Sequence, residues 1–244
     1  MENNNVNDYS YQNVIQLDDT QASRKFIAKV FTWMFVALGI SSVVAYLFAN
    51  DPSLAQALRD PATGGQTGLG FIVMLAPLAF VLVMSFGFNR LSYAALALIY
   101  VAYAAVMGMS LSYILTFYTA SSIFGVFMTS SLLFGVMAVA GYFTNTDLTK
   151  FGSLMMMLLV GIIIASLVNY LLHSQGLDTI ISYVGVAVFV GLTAYDVQKL
   201  KRIGAGIEYG PAPAAKMALM GGLNLYLDFV NLFIMLLRIF GRRR

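Results

Sequence analysis

Two carboxylates stand where a carboxylate is expensive. Asp196 lies near the end of one apolar stretch and Asp228 inside the next, and the connection between them is short and basic. A charged side chain at bilayer depth costs about 2.5–3.5 kcal/mol on insertion scales, so such residues face protein or water and carry a role. Two acids held together away from water share a proton, because desolvation and mutual repulsion both oppose a double charge. With that proton they bridge two helices. Without it they repel, and they offer oxygen ligands to a hard cation such as calcium. Asn224 and Asn231 add amide oxygens to such a shell. Lacking a dedicated loop, Asp196 and Asp228 make a weak calcium contact, suited to passage rather than storage. The plain structural alternative is that each Asp caps a neighbouring helix or pairs with a lysine.

The elements that position this pair follow from composition. Of 244 residues, 59% are hydrophobic and 10% charged, with a mean hydropathy of +0.79; soluble domains carry roughly 25% charged residues. A soluble core would have to hide several runs of helix-spanning length, which so short a chain has too little polar surface to cover. With no cysteine, disulfides, thiolate chemistry and cysteine metal sites are excluded. The single histidine, His173, closes an apolar run and reads as a loop residue. The expected partners are the lipid bilayer, calcium and protons, with no nucleic acid and no cofactor.

Apolar runs at 26–49, 69–88, 91–115, 121–143, 151–172, 178–199 and 216–240 are each close to the ~20 residues a spanning helix needs. They predict an all-α integral membrane protein, a bundle of seven transmembrane helices over residues 21–241, preceded by a flexible polar N-terminal tail, residues 1–20. Asp51-Pro52, Asp60-Pro61, Asn89-Arg90, Asn145-Thr146-Asp147, Ser174-Gln175-Gly176 and the stretch Gly204 to Pro213 mark the connections. The boundary near Tyr118 to Ser122 is the weakest. With the N-terminus cytoplasmic, Arg24, Lys25, Lys29, Arg90, Lys150, Lys199, Lys201, Arg202 and Lys216 collect inside, and only Arg59 stands in an outer loop. The C-terminus conflicts with that bias, since seven full spans put Arg242, Arg243 and Arg244 outside. The length of 216–240 favours a full span over a re-entrant return.

Small-residue stripes at Ala104/Gly108/Ser112, Ser131/Gly135, Gly161/Ala165 and Ala187/Gly191 predict close helix contacts. Pro77 interrupts the second run and predicts a kink there. On the last run Gly221, Asn224, Asp228, Asn231 and Arg238 share one face, a polar stripe that places this helix at the centre of the bundle. Helix counting sets Asp196 about one turn from the basic boundary and Asp228 about 18 Å in from Lys216, which leaves their separation open. Arg90 lies on the same side as Asp196; it reads either as a latch that pairs with Asp196 in one state or as a topogenic charge.

Gly191-Leu-Thr-Ala-Tyr-Asp-Val-Gln-Lys-Leu200, Leu225-Tyr-Leu-Asp-Phe-Val-Asn-Leu-Phe233, Leu237-Arg-Ile-Phe-Gly241 and the segment from Gly141 to Gly152 resemble the Bax inhibitor-1 family, also called the transmembrane Bax inhibitor motif family. The resemblance covers residues 21–241. It implies a seven-helix fold with a central last helix and a pH-sensitive calcium leak, in which Asp196 and Asp228 form the sensing pair and Arg90 latches the acid of the sixth span. It also implies a non-enzymatic protein. Short loops and the lack of a sorting signal point to a bacterial relative in the cell (inner) membrane. Val197 stands where the family often has Thr, and the second span lacks a carboxylate that some relatives carry.

Two other classes compete. Intramembrane aspartyl proteases also set a Tyr-Asp on one helix and an Asp on the next, where the pair activates water; here Leu225 and Leu227 occupy the places where close backbone approach requires glycine, and no Pro-Ala-Leu follows. A non-transporting regulator of membrane proteins would tolerate neutralisation of both acids.

Overall fold

A computed structural model describes residues 6–63, 65–206 and 214–243, with side chains described from residue 21 onward. Among the described residues it is all-helical: α1 (Val6–Asn50), α2 (Pro52–Leu58), α3 (Gly68–Gly87), α4 (Tyr93–Phe117), α5 (Ala120–Phe143), α6 (Thr149–Leu172), α7 (Gln175–Gly204) and α8 (Ala214–Phe240). All but α2 contain a segment long and apolar enough to cross a membrane, that of α1 being Gln21–Asn50. Of the tail assigned to residues 1–20, the first five lie outside the described residues, and from Val6 the backbone is helical and continuous with the first span.

The helix starts follow from short polar side chains in the connections. Asp51, Thr67, Ser92, Thr119 and Ser174 each occupy an N-cap and accept from backbone N–H groups of the first turn, opening α2, α3, α4, α5 and α7. The weak boundary at Tyr118–Thr119 is a real break, closed by the Thr119 cap. Helix α2 sits in a connection that had been read as turns. His173 ends α6 in the left-handed region (φ 52°), exposed in the α6–α7 connection as expected.

Helix α8 is the axis of the bundle. Its buried residues, among them Leu225, Tyr226, Asp228 and Leu232, lie on most of its circumference, whereas α3 and α6 bury three residues each. It packs chiefly against α7, α1 and α5, with α6 behind α7 and α3 behind α4. Helices α4 and α5 are consecutive but barely touch along their length, leaving one side of α8 less covered.

Pro77 deprives the carbonyl of Val73 of its helical donor. Ser110 Oγ of α4 donates to that carbonyl at 2.8 Å, so the interruption becomes an α3–α4 contact. Two of the four small-residue stripes are contacts. A Cβ on Gly108 would lie 2.6 Å from Ser41 O of α1, and one on Gly191 2.9 Å from Met155 Sδ of α6. Gly135 and Gly161 face open space among the described residues, so these two glycines are not points of close helix approach.

Helix α8 runs through the whole bundle. Lys216, near its start, donates to Leu91 O at 2.5 Å in the α3–α4 turn. At its far end Thr119 N donates to Arg242 O and Arg242 N to Ser122 Oγ, each at 3.0 Å, and Arg238 pairs with Asp178 at 3.1 Å. The re-entrant alternative therefore falls, and Arg242 and Arg243 lie at the end remote from the lysines; Arg244 is outside the described residues.

Candidate functional site

Helices α7 and α8 bring Asp196 and Asp228 together. Their carboxyl groups are within hydrogen-bond reach of one another. Helix α7 runs on past Lys199 to Gly204, so Asp196 lies about 12 Å in from the end of the helix. Asp228 is 6% exposed, and its Oδ2 is fully buried without a hydrogen-bond partner among the described residues. Asp196 is half-buried. The pair thus has one closed end and one accessible end.

Glycines let the neighbouring helices press on this turn of α7. A Cβ on Gly141 of α5 would lie 2.2 Å from Ala194 O, and one on Gly152 of α6 2.3 Å from the ring of Tyr195. Either side chain would push α5 or α6 off the backbone that carries Asp196. Among the described residues no third acid or histidine joins the pair into a metal-binding cluster.

The supporting residues are placed differently from expectation. Asn224 is exposed and Asn231 half-buried, with no hydrogen bond from either side chain among the described residues. The polar face of α8 straddles an edge: Gly221 and Asp228 are buried, Asn224 is exposed, and Arg238 is exposed at the far end where it pairs with Asp178 of α7. Arg90 is exposed in the α3–α4 turn and forms no ion pair among the described residues. The cation beside Asp196 is Lys199, one turn along α7.

Sequence reasoning missed the clamp that follows Asp196. Gln198 accepts from Leu148 N at 2.9 Å and donates to Thr146 O at 2.8 Å, and Lys201 Nζ donates to Tyr142 O at 2.8 Å. Arg202 reaches Asp147 at 2.7 Å. Hydrogen bonds from Thr149 and then from Arg202 hold the Asp147 carboxyl well below the usual carboxylate range. Residues 198–202 thereby fasten α7 to the α5–α6 connection. Their only sequence signal was basic charge, which membrane topology explains equally well.

Behind Asp228, on the side of α8 facing α1 and α4, lies a buried tyrosine network. Tyr226 donates to Ser41 Oγ at 2.7 Å, and Ser41 in turn donates to Ala104 O at 2.8 Å. Tyr100 donates to Trp33 O at 2.9 Å, and the Tyr103 ring meets that of Tyr226 edge-on at 5.6 Å.

Comparison with known proteins places this arrangement. A family model described as inhibitor of apoptosis-promoting Bax1 matches residues 23–244. The chain is 43% identical to the inner membrane protein YbhL of Escherichia coli over 220 residues, 90% of this chain and 92% of the relative. It is 40% identical to an uncharacterized protein of Borreliella burgdorferi, covering 90% and 93%, and 39% identical to one of Rickettsia prowazekii, covering 91% of each.

Proposed function

This chain belongs to the Bax inhibitor-1 family of multi-pass membrane proteins, and from that premise we propose that it is a pH-sensitive calcium leak pathway gated by a proton shared between Asp196 and Asp228. The observation that carries the reading is the contact of the two carboxyls across α7 and α8, with Asp228 Oδ2 buried and unpartnered. A proton on the pair ties the two helices together at the bundle centre. Its loss sets two anions against each other, loosens α8, and leaves oxygens for a passing calcium ion. Two acids alone hold such an ion weakly, which suits conduction. Arg90 and Lys199 lie on the same end of the molecule as the accessible side of the pair; Arg90 serves as a latch only in a state where its turn moves toward Asp196.

In this reading the pathway crosses a bacterial inner membrane with the N-terminus cytoplasmic, supported by the inner-membrane relative and by the side on which the lysines gather. The reading is non-catalytic. Leu225, fully buried, and Leu227 flank Asp228 where a peptide substrate would need open backbone.

The test is calcium flux into liposomes holding the purified protein and an enclosed indicator, across the near-neutral pH range. Flux should depend on pH, and Asp196→Asn and Asp228→Asn should each flatten that dependence. A flux equal to that of empty liposomes sinks the leak, and a pH response intact in both variants sinks the sensor. Retained biological activity with both acids neutralised would favour a non-transporting regulator.

A further inference from the structure

At the end of the bundle remote from the lysines, α2 and the start of α3 fold over α1 and α4 and line a half-open cavity of about 200 Å³. Its walls are held by backbone contacts. Arg59 and Gln66 pair as an isolated antiparallel bridge, Thr67 N donates to Leu58 O at 3.1 Å, and Thr67 Oγ1 donates to Ala57 O at 2.7 Å. Gly70 lies so close that a Cβ there would be 2.2 Å from Leu58 O. This is a built cavity rather than a loose loop.

Arg59 and Gln66, both in its lining, each carry a polar atom, Nη2 and Oε1, that is fully buried without a hydrogen-bond partner among the described residues. The guanidinium is fixed in place over the Tyr113 ring, 3.8 Å from its centroid, and 4.9 Å from that of Phe117. No carboxylate neutralises Arg59 among the described residues. Its neighbour Asp60 is committed to the loop, accepting from Ala62 N at 2.9 Å and from Thr63 Oγ1 at 3.0 Å. An unmet charged donor and an unmet acceptor in one cavity are costly when empty, and a ligand carrying an oxyanion and a hydroxyl satisfies both.

We propose that this cavity is a binding site for the phosphoglycerol headgroup of an anionic phospholipid, its phosphate oxygen on Arg59 and its hydroxyl on Gln66. Arginine matches phosphate oxygens with fixed donor geometry. The second group is a hydroxyl rather than an ammonium, because a cation beside the guanidinium would be repelled. The outer wall of the cavity is α3, whose Leu69, Ile72 and Leu75 are exposed toward the surrounding lipid, so acyl chains have a place to lie while the headgroup enters.

The test uses the full chain in detergent and native mass spectrometry with added dioleoyl phosphatidylglycerol, phosphatidylethanolamine, phosphatidylcholine or free glycerol phosphate. Phosphatidylglycerol should be retained over the other two lipids. Arg59→Gln should weaken retention by about tenfold or more through loss of a charge-assisted hydrogen bond, and Gln66→Glu by a similar factor, because its carboxylate pairs with Arg59 and repels the phosphate. Gln66→Glu supplies Arg59 with an internal carboxylate, so its melting temperature should not fall, and it decides the matter if Arg59→Gln fails to fold. Equal retention of the three lipids, or a Gln66→Glu variant that binds as the parent does, overturns the site. Binding of free glycerol phosphate in place of any lipid keeps the oxyanion pocket and overturns its lipid source.

Discussion

Asp147 and Asp228 are both aspartates of the segment that ties α5 through α8 together, and they are treated in opposite ways. Asp147 is exposed, accepts from Thr149 N and Oγ1 at 3.0 and 2.7 Å, and meets Arg202 at 2.7 Å. Asp228 is buried, has an oxygen with no donor, and meets another acid. A fold that needed only stability would give the buried carboxylate the cation and leave the exposed one to water. The reverse distribution sets an acid held by hydrogen bonds and a cation against an acid held beside another acid.

Four measurements break or sharpen that contrast. The largest effect is expected on transport, where Asp228→Asn should remove the pH dependence of calcium flux in liposomes while Asp147→Asn leaves it intact. Next is the packing that presses on the turn carrying Asp196: Gly141→Ala places a methyl against Ala194 O and should cost about 2–3 kcal/mol, read as a lowered midpoint of thermal unfolding in detergent. Ser41→Ala removes the acceptor of Tyr226 and should cost about 1 kcal/mol in the same assay. The smallest effect belongs to Asp147→Asn, whose loss of thermal stability should be barely resolvable, as for exposed ion pairs generally. Because its carboxyl is held below the ordinary value, what Asp147 contributes is complete above about pH 4 and fades as the pH falls below that. The difference between parent and variant should therefore be seen at pH 7 and diminish in acid.

Much of the architecture was readable in residue order. The length of each apolar run fixed the seven spans, and Ser, Thr or Asp at the connections set five of the helix starts. The central position of α8 followed from Gly221, Asp228 and their neighbours sharing a face. What residue order hid was three-dimensional closure. Counting from Lys199 and Lys216 gave each acid a position along its own helix, but where two helices cross, and so which residues meet, is set by packing and not by counting. Asn224 shared the face of Asp228 but not its surroundings, since which part of a face is covered is decided by packing between distant elements. Gln198 and Lys201 gave no sign that their partners would be the backbone of the α5–α6 connection, because any residue there presents the same carbonyl and amide.

Helix α8 lies at the centre and yet is synthesised after all the helices that surround it. Until it enters the bilayer, the earlier helices have no axis to close upon, the rings of Tyr100 and Tyr103 lack that of Tyr226, and Asp196 has no second acid beside it. Assembly of this protein is therefore completed late, when one polar-faced helix joins the six spans before it, and truncations that spare those six but remove the last should be recognised by membrane quality control as unfinished rather than as shortened protein.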